Sequence, residues 1–295
     1  MLVLRVLVLS CGLLISAPLL TLAFARPADD VERLVLIDGR SLDGWEAEEA
    51  TLTPMVVEGT SALAFRVVVN WHEGEARYPI GWPRIGKSVP EGQGDWSAWE
   101  QMWLRVRAEA SVDALPYQPL GVSLSTGGGN ANWEREAEGL RKGQWMEFTF
   151  DLGDVPQRDH VDHVGIFISE ADYPDGTKLQ FGVADLELVR YRRPTLVGLE
   201  PLARVAFADA KALPLAVKMY GLPAGATAPV QIMLRQGQRA VAEERLQAQE
   251  GSTQLSLSLP AGLAPGGYSL VVSAGGRELS EAITLAASPW KEGGR

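Results

Sequence analysis

The sequence has very few of the side chains that most hydrolases and metalloproteins depend on. It contains one cysteine and three histidines in 295 residues. The cysteine, Cys11, lies in an N-terminal apolar run, so the rest of the chain has no disulfide, no thiolate nucleophile and no zinc–thiolate site. His160 and His163 are three residues apart, which places them on opposite faces of a strand and does not favour a shared metal. No G-x-S-x-G, H-E-x-x-H or phosphate-loop motif occurs, so nucleophilic and zinc-dependent hydrolysis are disfavoured.

Positive charge is also scarce. Lysine and arginine together number 27 against 37 acidic residues, which gives a formal net charge of −10. An acidic protein is repelled by nucleic acid and by anionic membrane surfaces. We therefore expect no nucleic-acid partner.

Only one long apolar run is present, and it lies at the N-terminus. Arg5 precedes the apolar residues 6–22, and the small-x-small triplet Ala23-Phe24-Ala25 follows them. This layout is typical of a secretory signal peptide, residues 1–25, cleaved before Arg26, and it predicts a secreted or periplasmic protein with no membrane insertion after cleavage. The alternatives are a membrane anchor, for which the run is marginal in length, and a lipid anchor on Cys11.

No long stretch between residues 35 and 191 shows apolar residues at helical spacing. The region instead alternates apolar and polar residues in short runs separated by Gly, Pro, Asp and Asn clusters, the pattern of a β-sandwich or barrel. The predicted strands are residues 63–69, 99–107, 120–125, 145–152, 164–169 and 181–191. The fold class is therefore all-β.

The composition changes after Arg192-Arg193-Pro194, where a proline ends the preceding strand. Eight of the nine tryptophans lie between Trp45 and Trp145, and only Trp290 lies beyond this break. Alternation resumes with predicted strands at 230–234, 253–259, 268–273 and 278–284. We expect one β-domain over residues 26–193, a smaller one over 194–288 and a tail over 289–295.

The second half carries the run Leu263-Ala264-Pro265-Gly266-Gly267-Tyr268, followed by alternating residues. It resembles the loop into the penultimate strand of an immunoglobulin-like sandwich. The resemblance implies that the Tyr268 hydroxyl hydrogen-bonds back across the corner, and that this half is a spacer or a docking module for a protein partner.

Four segments of the first half resemble, in order, strands of galactose-binding-like, jelly-roll carbohydrate-binding modules. They are residues 95–106, the G-x-W strand 143–152, and the closing pair 161–170 and 181–188. The resemblance implies a non-catalytic jelly roll that binds a polysaccharide or oligosaccharide.

A second, local resemblance points to an enzyme. Residues 36–45, Leu-Ile-Asp-Gly-Arg-Ser-Leu-Asp-Gly-Trp, are similar to the opening of secreted keto-disaccharide hydrolase sandwiches. It implies a sugar-active hydrolase, and the paired carboxylates of such an enzyme would come from distant strands with no local motif.

The strand at 99–107 supplies the main ligand-binding candidates. Alternation sends Met102, Leu104 and Val106 to the core face and Gln101, Trp103 and Arg105 to the opposite face. An indole offers an apolar plane to a sugar ring, and the flanking Gln and Arg offer donors to hydroxyls. We therefore predict a stacking platform at Trp103, with Gln101 and Arg105 beside it.

Two further tryptophans lie where alternation does not demand burial. Trp82 is in the Pro-rich loop 79–84, and Trp133 follows the Gly-rich loop 127–132. For Trp82, Trp103 and Trp133, ligand binding and structural packing are both open. A mainly structural role is predicted for the remaining tryptophans of the first half, Trp45, Trp71, Trp96, Trp99 and Trp145.

Asp185 is the candidate metal ligand. Phe181 and Val183 share one alternation face while Leu186 and Leu188 share the other, so burying all four requires a bulge near Ala184-Asp185. In the resembled modules an acid at this point often binds structural calcium, and a turn-facing acid is the alternative.

Three functions follow from these observations: an exported glycan-binding protein, a sugar-active hydrolase, and a structural cell-surface component that binds proteins. An exposed outer-face tryptophan favours the first. A deep pocket lined by acids favours the second, and an exposed apolar patch favours the third.

Overall fold

The computed structural model describes residues 30–72 and 80–289, and all regular structure there apart from one short 3-10 helix is β-strand. The all-β class is therefore confirmed. The signal-peptide expectation falls on residues 1–25, outside the described part. The strands are β1 Val31–Ile37, β2 Glu46–Glu48, β3 Thr51–Val57, β4 Thr60–Val68, β5 Arg84–Ser88, β6 Gln101–Ala110, β7 Gly121–Thr126, β8 Ala131–Glu136, β9 Trp145–Asp151, β10 Val161–Phe167, β11 Lys178–Tyr191, β12 Thr195–Pro201, β13 Val205–Phe207, β14 Ala212–Tyr220, β15 Thr227–Gln236, β16 Arg239–Gln249, β17 Gly251–Ser258, β18 Gly266–Ala274 and β19 Arg277–Ala286.

Strands β1–β11 form two sheets that enclose one core, and we call this part the first sandwich. One sheet has the order β3-β4-β11-β6-β9, with β1 also paired to β11, and the other has the order β2-β5-β10-β7-β8. Alternating residues from both sheets fill the core, among them Phe65, Leu104, Leu124 and Ile166, all fully buried. Burial of this apolar surface is the main force that holds the two sheets together.

A bulge interrupts β11 where the alternation requires one. The pairing of β11 with β6 shifts register between Val183 and Asp185. Phe181, Val183, Leu186 and Leu188 are all fully buried, so the extra residue keeps both pairs in the core. The predicted bulge is confirmed.

Strands β12–β19 form the second sandwich, with sheet orders β12-β14-β17 and β13-β19-β18-β15-β16 and a separate core. β11 ends at Tyr191 and β12 begins at Thr195, so the short Arg-Arg-Pro segment separates the two sandwiches. The Tyr268 hydroxyl donates a hydrogen bond to the Ala264 carbonyl at 2.7 Å, as the corner sequence predicts. In the described part of the chain, no helix is long and apolar enough to cross a membrane.

The two sandwiches meet at a small apolar cluster, which we call the junction. It contains Val31, Trp103, Val189 and Tyr191 of the first sandwich and Tyr220 of the second. The Tyr191 and Tyr220 rings stack with their centroids 5.8 Å apart.

A polar contact borders the junction. The Lys218 ammonium donates to the Asp151 carboxylate at 2.6 Å, and the Tyr220 hydroxyl donates to the same Asp151 oxygen. Burial alone would raise the pKa of Asp151, but these hydrogen bonds outweigh it and hold the pKa below its usual value.

Candidate functional site

One end of the first sandwich gathers two tryptophans and several acids from distant parts of the chain. Trp71 follows the end of β4, Trp82 precedes the start of β5, and the short 3-10 helix Glu170–Asp172 follows β10. β4 pairs with the start of β11, and β5 pairs antiparallel with β10, which brings these termini to the same end. We call the group Trp71, Trp82, Phe167, Glu49 and Glu170 the tryptophan surface.

Glu170 links the two segments that carry the tryptophans. Its side chain is buried, with the residue 5% exposed, and its carboxylate accepts the Asn70 N–H at 3.0 Å and the Gly81 N–H at 3.1 Å. Its backbone carbonyl accepts the Trp71 indole N–H at 3.2 Å. Hydrogen bonds to a carboxylate are stronger than neutral ones, so Glu170 firmly connects the two segments that carry Trp71 and Trp82.

Glu49 holds the Trp82 segment from the other side. Its carboxylate accepts the Trp82 N–H at 2.9 Å. A Cβ on Gly81 would lie 2.3 Å from the Glu49 carboxylate oxygen and 3.1 Å from that of Glu170, so a larger residue there would displace at least the Glu49 carboxylate. The backbone before Trp82 is therefore held by two carboxylates at once.

Both indoles of the tryptophan surface face solvent. Trp82 is 51% exposed and Trp71 is 37% exposed. The Trp82 ring packs on one side against Phe167, with a centroid distance of 5.8 Å. Two held, solvent-facing indoles at one end of a sandwich can stack on the apolar faces of sugar rings.

The charge around the tryptophan surface is negative. A Cβ on Gly121 would contact both the Phe167 ring and the Glu136 carboxylate, so Glu136 lies beside the aromatic pair. Burial raises the pKa of Glu136, and the nearby acids Asp172, Glu134 and Glu138 raise it further. Arg84, which follows Trp82 in sequence, is ion-paired with Glu48. This end of the molecule therefore offers acceptors for hydroxyl groups and repels anions.

Trp71, for which a mainly structural role is predicted, is 37% exposed and its indole N–H donates to the Glu170 carbonyl, so the side chain has both a structural contact and a solvent-exposed part. Trp82 is singled out because it lies in a loop where alternation does not require burial, and Trp71 shares this feature. Trp71 follows β4 and the buried Val69, in a polar loop.

The expected open platform at Trp103 is corrected by the structure. Trp103 does lie on the face of β6 opposite the core, but it is only 7% exposed, because the junction residues cover it and the Arg33 guanidinium lies 5.2 Å from its ring. Gln101 is also buried, and its side-chain oxygen accepts from the Trp103 indole at 3.1 Å and from the Tyr191 hydroxyl at 2.9 Å. Gln101 thus ties Trp103 to Tyr191 beside the junction.

Trp133 is likewise not a solvent-facing platform. It is 4% exposed and belongs to the core of the first sandwich. Its indole N–H donates to Asp154 at 2.9 Å, and the Arg135 guanidinium lies 5.0 Å from its ring. The Gly-rich loop that precedes Trp133 therefore does not keep the indole in solvent.

Arg105 and Asp185 face each other on the outer face of the six-stranded sheet. The Arg105 guanidinium is 4.0 Å from the Asp185 carboxylate and 5.2 Å from the Trp145 ring. Among the described residues, no group of three or more His, Cys, Asp or Glu side chains is placed to hold a metal ion. The calcium site expected at Asp185 stays a prediction, and the Arg105 guanidinium beside it would compete with a bound cation.

Comparisons with known proteins identify no family for the chain. No family model and no curated protein sequence matches it. A Bacteroides uniformis β-glucuronidase structure is 12% identical, with a TM-score of 0.37, and the match covers 87% of this chain but only 32% of that enzyme. The Caldicellulosiruptor saccharolyticus CBM27-1 module in complex with mannohexaose is 11% identical, with a TM-score of 0.34, over 53% of this chain and 96% of the module.

A third solved structure is a CBM28 module specific for non-crystalline cellulose. It is 10% identical, with a TM-score of 0.33, over 49% of this chain and 86% of the module. At these identities and scores the similarity assigns no function to the chain, so the functional argument depends on the tryptophan surface itself.

Proposed function

We propose that the chain is an exported, non-catalytic carbohydrate-binding protein and that its glycan binds at the tryptophan surface. The observation that carries this proposal is the pair of solvent-facing indoles, Trp71 and Trp82, whose segments Glu170 connects. Export follows from the N-terminal pattern, and the second sandwich would serve as a spacer or docking module.

The charges of the tryptophan surface favour a neutral glycan. Glu49 and Glu136 accept hydrogen bonds from sugar hydroxyls, whereas they repel the carboxylates of a uronate polymer. Arg84 does not compensate them, because it is ion-paired with Glu48. A neutral polysaccharide is therefore the ligand class we expect.

A panel of soluble polysaccharides tests this function by affinity electrophoresis or calorimetry. Neutral glucans and mannans are compared with polygalacturonate of similar chain length. Binding to at least one neutral polymer, and no polygalacturonate binding that depends on Trp71 or Trp82, is the expected result. Binding to none of them contradicts the proposed function, and binding only to polygalacturonate contradicts the ligand class.

A sugar-active hydrolase is the second candidate, and one observation favours it. Glu136 lies beside Phe167 and burial raises its pKa, which is the direction of shift that a glycosidase general acid needs. If this candidate is correct, the purified chain releases reducing sugar or keto-sugar product and Glu136→Gln abolishes the release. We expect no release from the parent protein over long incubation.

A further inference from the structure

A groove of about 410 Å³ opens on the outer face of the five-stranded sheet of the second sandwich. Gln231 of β15 lies between Arg245 of β16 and Ser273 of β18, its direct pairing partners on either side. Arg277 and Glu278 of β19 complete the wall. The volume is at the small-ligand end of the range found for binding pockets.

The charge balance of this groove is unusual for so acidic a chain. Within residues 30–72 and 80–289, neither Arg245 nor Arg277 has a salt-bridge or hydrogen-bond partner. The one acid in the groove, Glu278, is 3.7 Å from Arg235. The Gln231 amide donates to Glu243 at 2.6 Å. Among the described residues, the groove is thus lined by two arginines that make no salt bridge or hydrogen bond and by a single acid, Glu278.

We infer that this groove binds a small ligand that carries a carboxylate. A guanidinium presents two parallel N–H donors that match the two oxygens of a carboxylate, and two such groups line the same space. The Ser273 hydroxyl adds a neutral polar group. No aromatic side chain lines the groove, so affinity there depends on charge and hydrogen bonds, unlike the affinity of the tryptophan surface. The inference is independent of the proposed function.

The test uses two sugars that differ only in the carboxylate. The purified chain, labelled with 15N-arginine, is titrated with sodium galacturonate and, separately, with galactose, and the arginine Nε–H signals are followed by NMR. Galacturonate is expected to shift two arginine signals saturably, and galactose is expected to shift none. Equal shifts from both sugars, or none from galacturonate, overturn the inference.

Variants locate the binding and separate it from general charge effects. The R245Q/R277Q double variant is expected to bind galacturonate roughly tenfold more weakly or worse, since each removes a charge-assisted hydrogen bond. R239Q removes an exposed arginine from the same strand, β16, outside the groove, and is expected to bind as the parent does. Equal weakening by R239Q, or parental affinity in the double variant, rules the groove out.

If folding of the double variant is impaired in a thermal melt, R245Q alone serves, with severalfold weakening expected. An inorganic phosphate titration completes the set, because tighter binding of phosphate than of galacturonate contradicts the carboxylate class.

Discussion

Trp103→Ala is expected to destabilise the protein, because it removes the largest apolar side chain of the junction. The indole is 7% exposed and packs with Val31, Val189, Tyr191 and Tyr220. Replacing a buried tryptophan by alanine costs about 3–5 kcal/mol, since apolar burial is lost and a cavity remains. The junction borders solvent and can partly collapse, so we expect a loss of about 3 kcal/mol at the lower end of that range. For a chain of this size such a loss lowers Tm by roughly 6–12 °C.

Urea unfolding and calorimetry of Trp103→Ala measure this loss directly. Trp71→Ala is the comparison variant, because Trp71 is 37% exposed and its indole makes one hydrogen bond, so its removal is expected to cost less, about 1–2 kcal/mol. Glycan binding should separate the two variants in the reverse order. Trp71→Ala is expected to weaken binding, whereas Trp103→Ala is expected to preserve it at temperatures where the variant is folded. Unchanged stability together with lost binding in Trp103→Ala would refute the assignment of Trp103 to the junction.

Alternation in the sequence predicts the strands and their core faces because the two faces of a strand differ in chemistry. Met102, Leu104 and Val106 are buried as predicted, and the bulge before Asp185 follows from the need to bury residues on both sides of it. Both are local consequences of keeping apolar side chains out of water.

Alternation cannot predict which polar-side residues become covered by distant parts of the chain. Trp103 is on the predicted face, but it is buried in a cluster that includes Tyr220 of the second sandwich. Trp133 is buried because Asp154, from another loop, satisfies its indole N–H. Conversely, Trp71 and Trp82 form one surface only because Glu170 connects their loops, and no local pattern reveals that contact.

Three further predictions concern charge. Burial raises the pKa of Glu100 to about 7 from 4.5, so the folded state keeps this proton to higher pH than the unfolded state and stability falls as pH rises between these values. Glu100→Gln is therefore expected to stabilise the protein at pH 8, by roughly 1–2 kcal/mol, because solvent screens this half-buried group. An unchanged pH dependence of Tm in the variant would count against this. Asp151→Asn is expected to cost about 1–3 kcal/mol of stability at pH 7, because Lys218 and Tyr220 lose their charged acceptor. In the parent, this stabilisation is lost as pH falls through the lowered pKa of Asp151. Equal urea midpoints for variant and parent would exclude this prediction. If Asp185 binds calcium in spite of Arg105, chelator is expected to lower Tm in the parent but not in Asp185→Asn, and an unchanged Tm in the parent would contradict the calcium site.

The central claim, glycan binding at the tryptophan surface, is tested most directly by the Trp71→Ala/Trp82→Ala double variant. Each indole is worth roughly 1 kcal/mol in stacking, so the double variant should bind a neutral polysaccharide about 30-fold more weakly than the parent by calorimetry, at a temperature where a thermal melt shows it folded. Phe207→Ala, which removes an exposed aromatic ring from the second sandwich, is the control and should bind as the parent does. Parental affinity in the folded double variant would contradict the account.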